Sequence, residues 1–163
     1  MNEYCNILGK DREYVQGAGG NVSWKIDSKM WVKASGKWLS QALKENIYVE
    51  VNRDKALDHI LKGDFDQPVT TNDNSDLRPS IETIFHILMP HQVVIHLHAI
   101  KPLAILIQKN YKEIFRKLLK DDLSYEFIDY VKPGTELGKS ILFKLMSNND
   151  IDVFFLQNHG III

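Results

Sequence analysis

The chain is nearly devoid of cysteine: Cys5 stands alone among 163 residues. An internal disulfide is excluded, and the composition fits a reducing compartment, so a cytoplasmic location is expected. Charge of neither sign dominates, since 20 Lys and Arg face 21 Asp and Glu. The basic residues are scattered, which argues against a nucleic-acid partner. Long hydrophobic runs are missing too. No stretch approaches the roughly 18 apolar residues that cross a bilayer, and the polar N-terminal segment has no signal-peptide core. Repeats and low-complexity tracts are absent. Neither a Walker A nor a GxGxxG pattern occurs, so a nucleotide is not indicated.

What is present is an ordinary globular composition, 44% hydrophobic and 25% charged, at a length that suits one domain spanning residues 1–163. A helix is expected over residues 3–15, broken by GAGG. NVSWKI and MWVKA read as a hairpin turning at Asp27-Ser28, and NIYVEVN alternates as a strand. SGKWLSQAL suits a short helix, and RDKALDHILKG a helix closed by Gly63. Residues 64–79 form the one long loop. A helix follows from Ser80 as N-cap, then the strand QVVIHLH and helices from about Pro102 and Lys112. A short strand near Tyr125–Ile128, a helix within VKPGTELGKSILFKLM, and strands at DVFFLQN and GIII complete the reading. The interleaving predicts an α/β (α+β-like) fold with a central, mostly antiparallel sheet covered by helices. Stopping within a strand at Ile161–Ile163 leaves two alternatives. Either that strand is internal to the sheet, or the chain is shorter than the fold it belongs to; the second is preferred.

In VVIHLHAI, residues two apart share a strand face, so His96 and His98 lie side by side while Ile95, Leu97 and Ala99 line the other face. Such a pair is either a hydrogen-bonded core feature or two ligands of a zinc ion, which imidazoles reach at about 2.0–2.1 Å. A third ligand could come from His59, His86, His91, His159 or a carboxylate. His159, in NHG, stands out because the following glycine lets the backbone turn closely.

In RPSIETIFH, Glu82 falls in the first turn of the helix capped by Ser80, where the dipole favours a carboxylate. Its alternative role is that of a general base or extra ligand near a metal. Glu82 and His86 are four apart on one helix face, but the HExxH pattern is missing, which excludes a metalloprotease of that type. GAGGN and ASG expose successive backbone N–H groups able to form an anion-binding nest. Asn21, Ser35 and Ser80 add side-chain donors, and phosphate is the natural guest. Trp24, Trp31 and Trp38 read as packing residues, and YKEIFRKLLK as a solvated helix face.

GAGGNVSWK, VKASGKW, RPSIETIFH, VVIHLHAI and FFLQNHG occur in the order and approximate spacing of the class II aldolase/adducin family, which the chain resembles from about residue 8 to its end. The resemblance implies a three-layer domain and a zinc, or another divalent ion, held by His96, His98 and His159. Glu82 would bind the resting metal and then transfer the proton. A phosphate would sit on Gly20-Asn21, Ser35-Gly36 and Ser80-Ile81. The activity implied is cleavage or formation of a phosphorylated ketose through a metal-stabilised enediolate. A pentulose-phosphate 4-epimerase, a sugar-phosphate dehydratase, or a non-catalytic adducin-like module are the alternatives. A homotetramer is implied as well. Three departures stand out. Ile81 replaces a second small polar residue of the phosphate site. The family usually continues for tens of residues beyond NHG, so its C-terminal segment is expected to be lacking. Family aldolases also borrow a tyrosine from a neighbouring subunit, and Tyr111, though near the right region, is not assigned to that role.

Overall fold

A computed structural model describes residues 1–66, 69, 71, 76–119 and 123–163. The loop expected over 64–79 therefore lies partly outside the described residues. Strand β1 (Asn21–Ile26) and β2 (Lys29–Lys33) form the expected hairpin, with Asp27 in the left-handed region at its turn. β3 (Tyr48–Asn52) adds to β2, and β4 (Val93–Leu97) pairs with the other side of β1. β5 (Tyr125–Ile128), β6 (Val153–Leu156) and β7 (Gly160–Ile162) complete one seven-stranded sheet, in the order β3-β2-β1-β4-β7-β6-β5. Every neighbouring pair is antiparallel except β5 with β6. The final isoleucines lie in an interior strand, because β7 is bonded to β4 on one side and β6 on the other.

Period-two alternation sorts the apolar side chains into two cores, one on each face. Val32, Val49, Val51, Val94, Phe154 and Ile162 line the first. It is covered by α2 (Arg53–Leu61), α3 (Thr83–Leu88) and α6 (Thr135–Ser147) through Ile60, Phe85 and Ile141 among others. Val22, Leu97, Phe155 and Ile161 line the second. Here α1 (Asn2–Lys10), α4 (Ile100–Leu106) and α5 (Tyr111–Leu118) pack, joined by a short 3-10 turn at Leu39–Gln41. The architecture is thus helix, sheet, helix. Trp24 stacks on Trp31 with ring centres 5.7 Å apart on this second face, whereas Trp38 is half-exposed beside the 3-10 turn.

Two helix boundaries differ from expectation for local reasons. α1 stops at Lys10 rather than continuing to residue 15. Asp11 turns extended, and its carboxylate accepts the Glu13 backbone N–H at 2.8 Å, a competing local bond that ends the helix. α3 begins at Thr83, with Glu82 rather than Ser80 at the N-cap position. The Ser80 hydroxyl turns instead to Asn21, accepting its side-chain amide at 3.0 Å, while the Thr83 N–H is taken by the Ser80 carbonyl oxygen at 3.1 Å.

Candidate metal centre and anion pocket

Three separate segments converge at one end of the sheet. β4 carries His96 and leads directly to His98, the turn between β6 and β7 carries His159, and the entrance to α3 carries Glu82. One ligand-type atom from each of these four residues lies within 4.8 Å of every other. The β6–β7 turn is sharp: Asn158 adopts φ 55°, and the His159 backbone N–H donates to the Leu156 carbonyl oxygen at 3.1 Å. A β-carbon on Gly160 would overlap the Leu97 carbonyl oxygen, so only glycine lets this turn close onto β4.

His96 is fully buried, and its orientation is fixed. Its Nδ1 lies 2.9 Å from the Ile161 carbonyl oxygen, which can only accept, so Nδ1 carries the proton. Nε2 therefore turns to the cluster, 3.0 Å from His98 Nε2 and 3.3 Å from Glu82 Oε1. His159 Nε2 reaches the same Glu82 oxygen at 3.3 Å. Lone pairs this close repel unless a proton or a cation lies among them. Burial would raise the Glu82 carboxyl, but its hydrogen bonds with His159 and His96 hold it far below the usual carboxylate range. Burial, followed by the neighbouring His96 and His159 rings, pushes His98 down to about 4, leaving it a neutral lone-pair donor at pH 7. Three inward Nε2 atoms and one carboxylate fit a divalent ion. The Ile161 carbonyl is the kind of outer partner that orients a metal-binding imidazole.

Beside this cluster the glycine turns meet. An isolated bridge between Ala34 and Pro79 brings the Ser35-Gly36 turn next to Ser80, and the Ser35 backbone N–H is taken up by the Arg78 carbonyl oxygen at 2.8 Å. Gly36, at φ +73°, faces open space. Gly20, at φ +69°, lies against the His96 backbone, where a β-carbon would come within 3.1 Å of its carbonyl oxygen. Asn21 is buried, and its Oδ1 has no partner among the described residues. Lys33 ties the two turns together: its Nζ donates to Ala18 O at 3.0 Å and Lys37 O at 2.8 Å. Burial pushes this ammonium down to about 8, although the nearby Glu82 charge opposes the shift. Ile81 is 66% exposed and offers no side-chain donor. It borders a cleft of about 390 Å³ with Ile84 and residues 132–136 at the entrance to α6. A cavity of about 470 Å³ between α5, β5 and α6 is larger, but none of the four convergent residues lines it.

Known proteins carry the same arrangement of strands and helices. The sequence matches the Class II Aldolase and Adducin N-terminal domain over residues 1–163. The chain belongs to that family. It is 27% identical over 157 residues to the L-fuculose phosphate aldolase of Methanocaldococcus jannaschii, covering 93% of this chain and 75% of that protein. It is 28% identical over 174 residues to the uncharacterized oxidoreductase YuxG of Bacillus subtilis. That match covers 96% of this chain, which spans only 25% of YuxG. Among solved structures, the N-terminal class II aldolase domain of a conserved Thermoplasma acidophilum protein superposes with a TM-score of 0.80 at 24% identity, covering 99% of this chain and 80% of that one.

Class II aldolases use a divalent metal, and Glu82, His96, His98 and His159 of this family member could hold one. The other candidate histidines are elsewhere. His59 faces Asp64 at 3.9 Å, His91 faces Asp152 at 3.8 Å, and His86 is buried against Ser23. Tyr111 is also withdrawn from the surface: it is 2% exposed, and its hydroxyl donates to Asp129 at 2.7 Å. Lys33 escaped sequence reasoning. Its one available signal was a lysine ending the strand KMWVK directly before Ala-Ser-Gly. Among the described residues, no helix is long and apolar enough to cross a membrane.

Proposed function

We propose that this chain is the metal-binding domain of a zinc-dependent aldolase-type lyase that cleaves or forms a phosphorylated ketose. The observation that carries this reading is the convergence of Glu82, His96, His98 and His159 from three segments distant in sequence. Neutral imidazoles plus one carboxylate suit zinc, and another divalent ion is compatible with the same donors. When bound, the ion supplies Lewis-acid stabilisation of the negative charge that develops on substrate oxygens.

The chain's own residues do the rest. Glu82 moves the proton: it takes one from the reacting carbon of the three-carbon ketone phosphate in condensation and returns it in cleavage. Its position between His96 and His159 supports that role, because the Ile161 bond keeps His96 aimed at the same point when Glu82 moves. Gly20-Asn21, Ser35-Gly36, Ser80 and the Ile81 backbone hold the phosphate, and Lys33 keeps their turns in place. Remote phosphate binding then fixes the reacting carbons against Glu82. Relatives named as L-fuculose phosphate aldolases support a phosphorylated sugar as substrate. A cytoplasmic homotetramer belongs to the same proposal.

A panel of ketose phosphates, incubated with zinc-loaded protein and assayed for triose phosphate, tests the reading. Release of triose phosphate supports the lyase. An isomer alone would mean a 4-epimerase, and loss of water a dehydratase. Neither turnover nor metal binding would leave a non-catalytic, adducin-like module.

A further inference from the structure

The face of β1 turned towards α3 is polar where the rest of that core is apolar. Asn21, Ser23 and Lys25 alternate with Val22 and Trp24, and all three are buried. They meet the α3 segment in sequence along its length. The Asn21 amide donates to Ser80 Oγ before the helix starts, at 3.0 Å. Ser23 Oγ bonds to His86 Nδ1 in its middle, at 2.8 Å. Lys25 Nζ donates just past its end to Met89 O at 2.8 Å and to His91 O at 2.7 Å. Apolar side chains can slide past one another at small cost, whereas a buried hydrogen bond is lost if its partners shift. Spaced polar contacts therefore fix where α3 sits along β1.

That placement matters because His86 lies one helical turn after Glu82 and is itself fully buried. β1 is also the hydrogen-bonded neighbour of β4, with Asn21 opposite His96 and Ser23 opposite Val94. One strand thus sets the position of both the histidine strand and the glutamate helix. We infer that the Ser23–His86 pair is a positioning element that holds Glu82 in reach of His96 and His159. His86 is a positioning residue, acting through the helix and touching neither metal nor substrate; the inference rests on the metal-site reading above.

The test is a double-mutant cycle on metal affinity combined with a metal-free crystal structure. Zinc affinity is measured against a chromophoric chelator for the unsubstituted protein, His86→Leu, Glu82→Ala and the double variant. The expected result is a loss of about tenfold for His86→Leu, in line with outer-partner effects at metal sites. With Glu82→Ala already present, the same substitution changes affinity less than about twofold. In the metal-free His86→Leu structure, Glu82 Oε1 has moved out of hydrogen-bond reach of His96 Nε2. Equal losses in both backgrounds, or Glu82 unmoved, would overturn the inference. If the unsubstituted protein binds no zinc, the metal reading fails, and the crystal structure still decides whether His86 positions Glu82. Should His86→Leu fail to fold, Ser23→Ala removes the same bond while keeping the imidazole, and the same outcomes apply.

Discussion

His96 donates its Nδ1–H to the carbonyl oxygen of Ile161, two residues beyond His159, at 2.9 Å. One hydrogen bond thus fixes the tautomer of one candidate ligand and docks that ring on the strand that follows another. The bond depends on β7 lying flush against β4, which Gly160 permits by leaving room for the Leu97 carbonyl. Gly160→Ala is accordingly expected to lower stability by about 1–3 kcal/mol through overpacking. Urea unfolding measures that loss, and metal affinity falls with it because His159 is displaced.

Glu82→Gln keeps the volume of the side chain and removes its charge and basicity. If Glu82 moves the proton, exchange of the reacting C–H of dihydroxyacetone phosphate with deuterated solvent slows by about 10²–10⁴-fold. Nuclear magnetic resonance follows the exchange directly. A rate within twofold of the unsubstituted protein would assign the proton transfer to another group.

Ile81 is largely exposed beside the proposed anion pocket, so replacing it removes little packing. Ile81→Ser adds a hydroxyl donor at the start of α3. Binding of a phosphorylated ligand is expected to tighten by about 0.5–1.5 kcal/mol, the net worth of one hydrogen bond. Calorimetry with dihydroxyacetone phosphate, with unfolding curves to confirm unchanged stability, checks this.

Two buried lysines make stability depend on pH. Burial lowers Lys25 to about 7, helped by the Arg53 charge, and lowers Lys33 to about 8. Both folded values lie below the ordinary lysine value of about 10.4. Between these limits the unfolded chain binds more protons than the folded one, so stability rises with pH from about 7 towards 10. The rise is complete above the unfolded value and is lost as pH falls through 8 and 7. Melting temperatures across that window should climb, and Lys25→Met should flatten the lower part of the climb. A melting temperature that falls steadily from pH 7 to 9 would contradict this.

Much of the architecture could be read from alternation alone. NVSWKI, NIYVEVN and QVVIHLH each became a strand, and the shared face of His96 and His98 followed from the period of two. Ser80 was misread because its tendency to cap a helix is a local property, whereas its partner Asn21 is 59 residues away. Ser23 and Lys25 are opaque for a similar reason: on β1 they look like the solvent face of a strand until α3 is laid over them. His86 could be nominated as a ligand but not rejected, since spacing does not show that Ser23 holds it. NHG singled out His159 and the family resemblance set it beside the pair, but its approach to them depends on β7 lying between β4 and β6, a pairing that no short-range pattern specifies.

If Glu82, His96, His98 and His159 form one metal site, the folded protein retains an ion there. Elemental analysis of purified protein, after loosely bound ions are removed, tests it most directly when His98→Ala is measured beside it. The expected result is about one zinc or similar divalent ion per chain, lost in the variant. No bound metal in the unsubstituted protein after zinc is supplied, or equal metal in both, would contradict it.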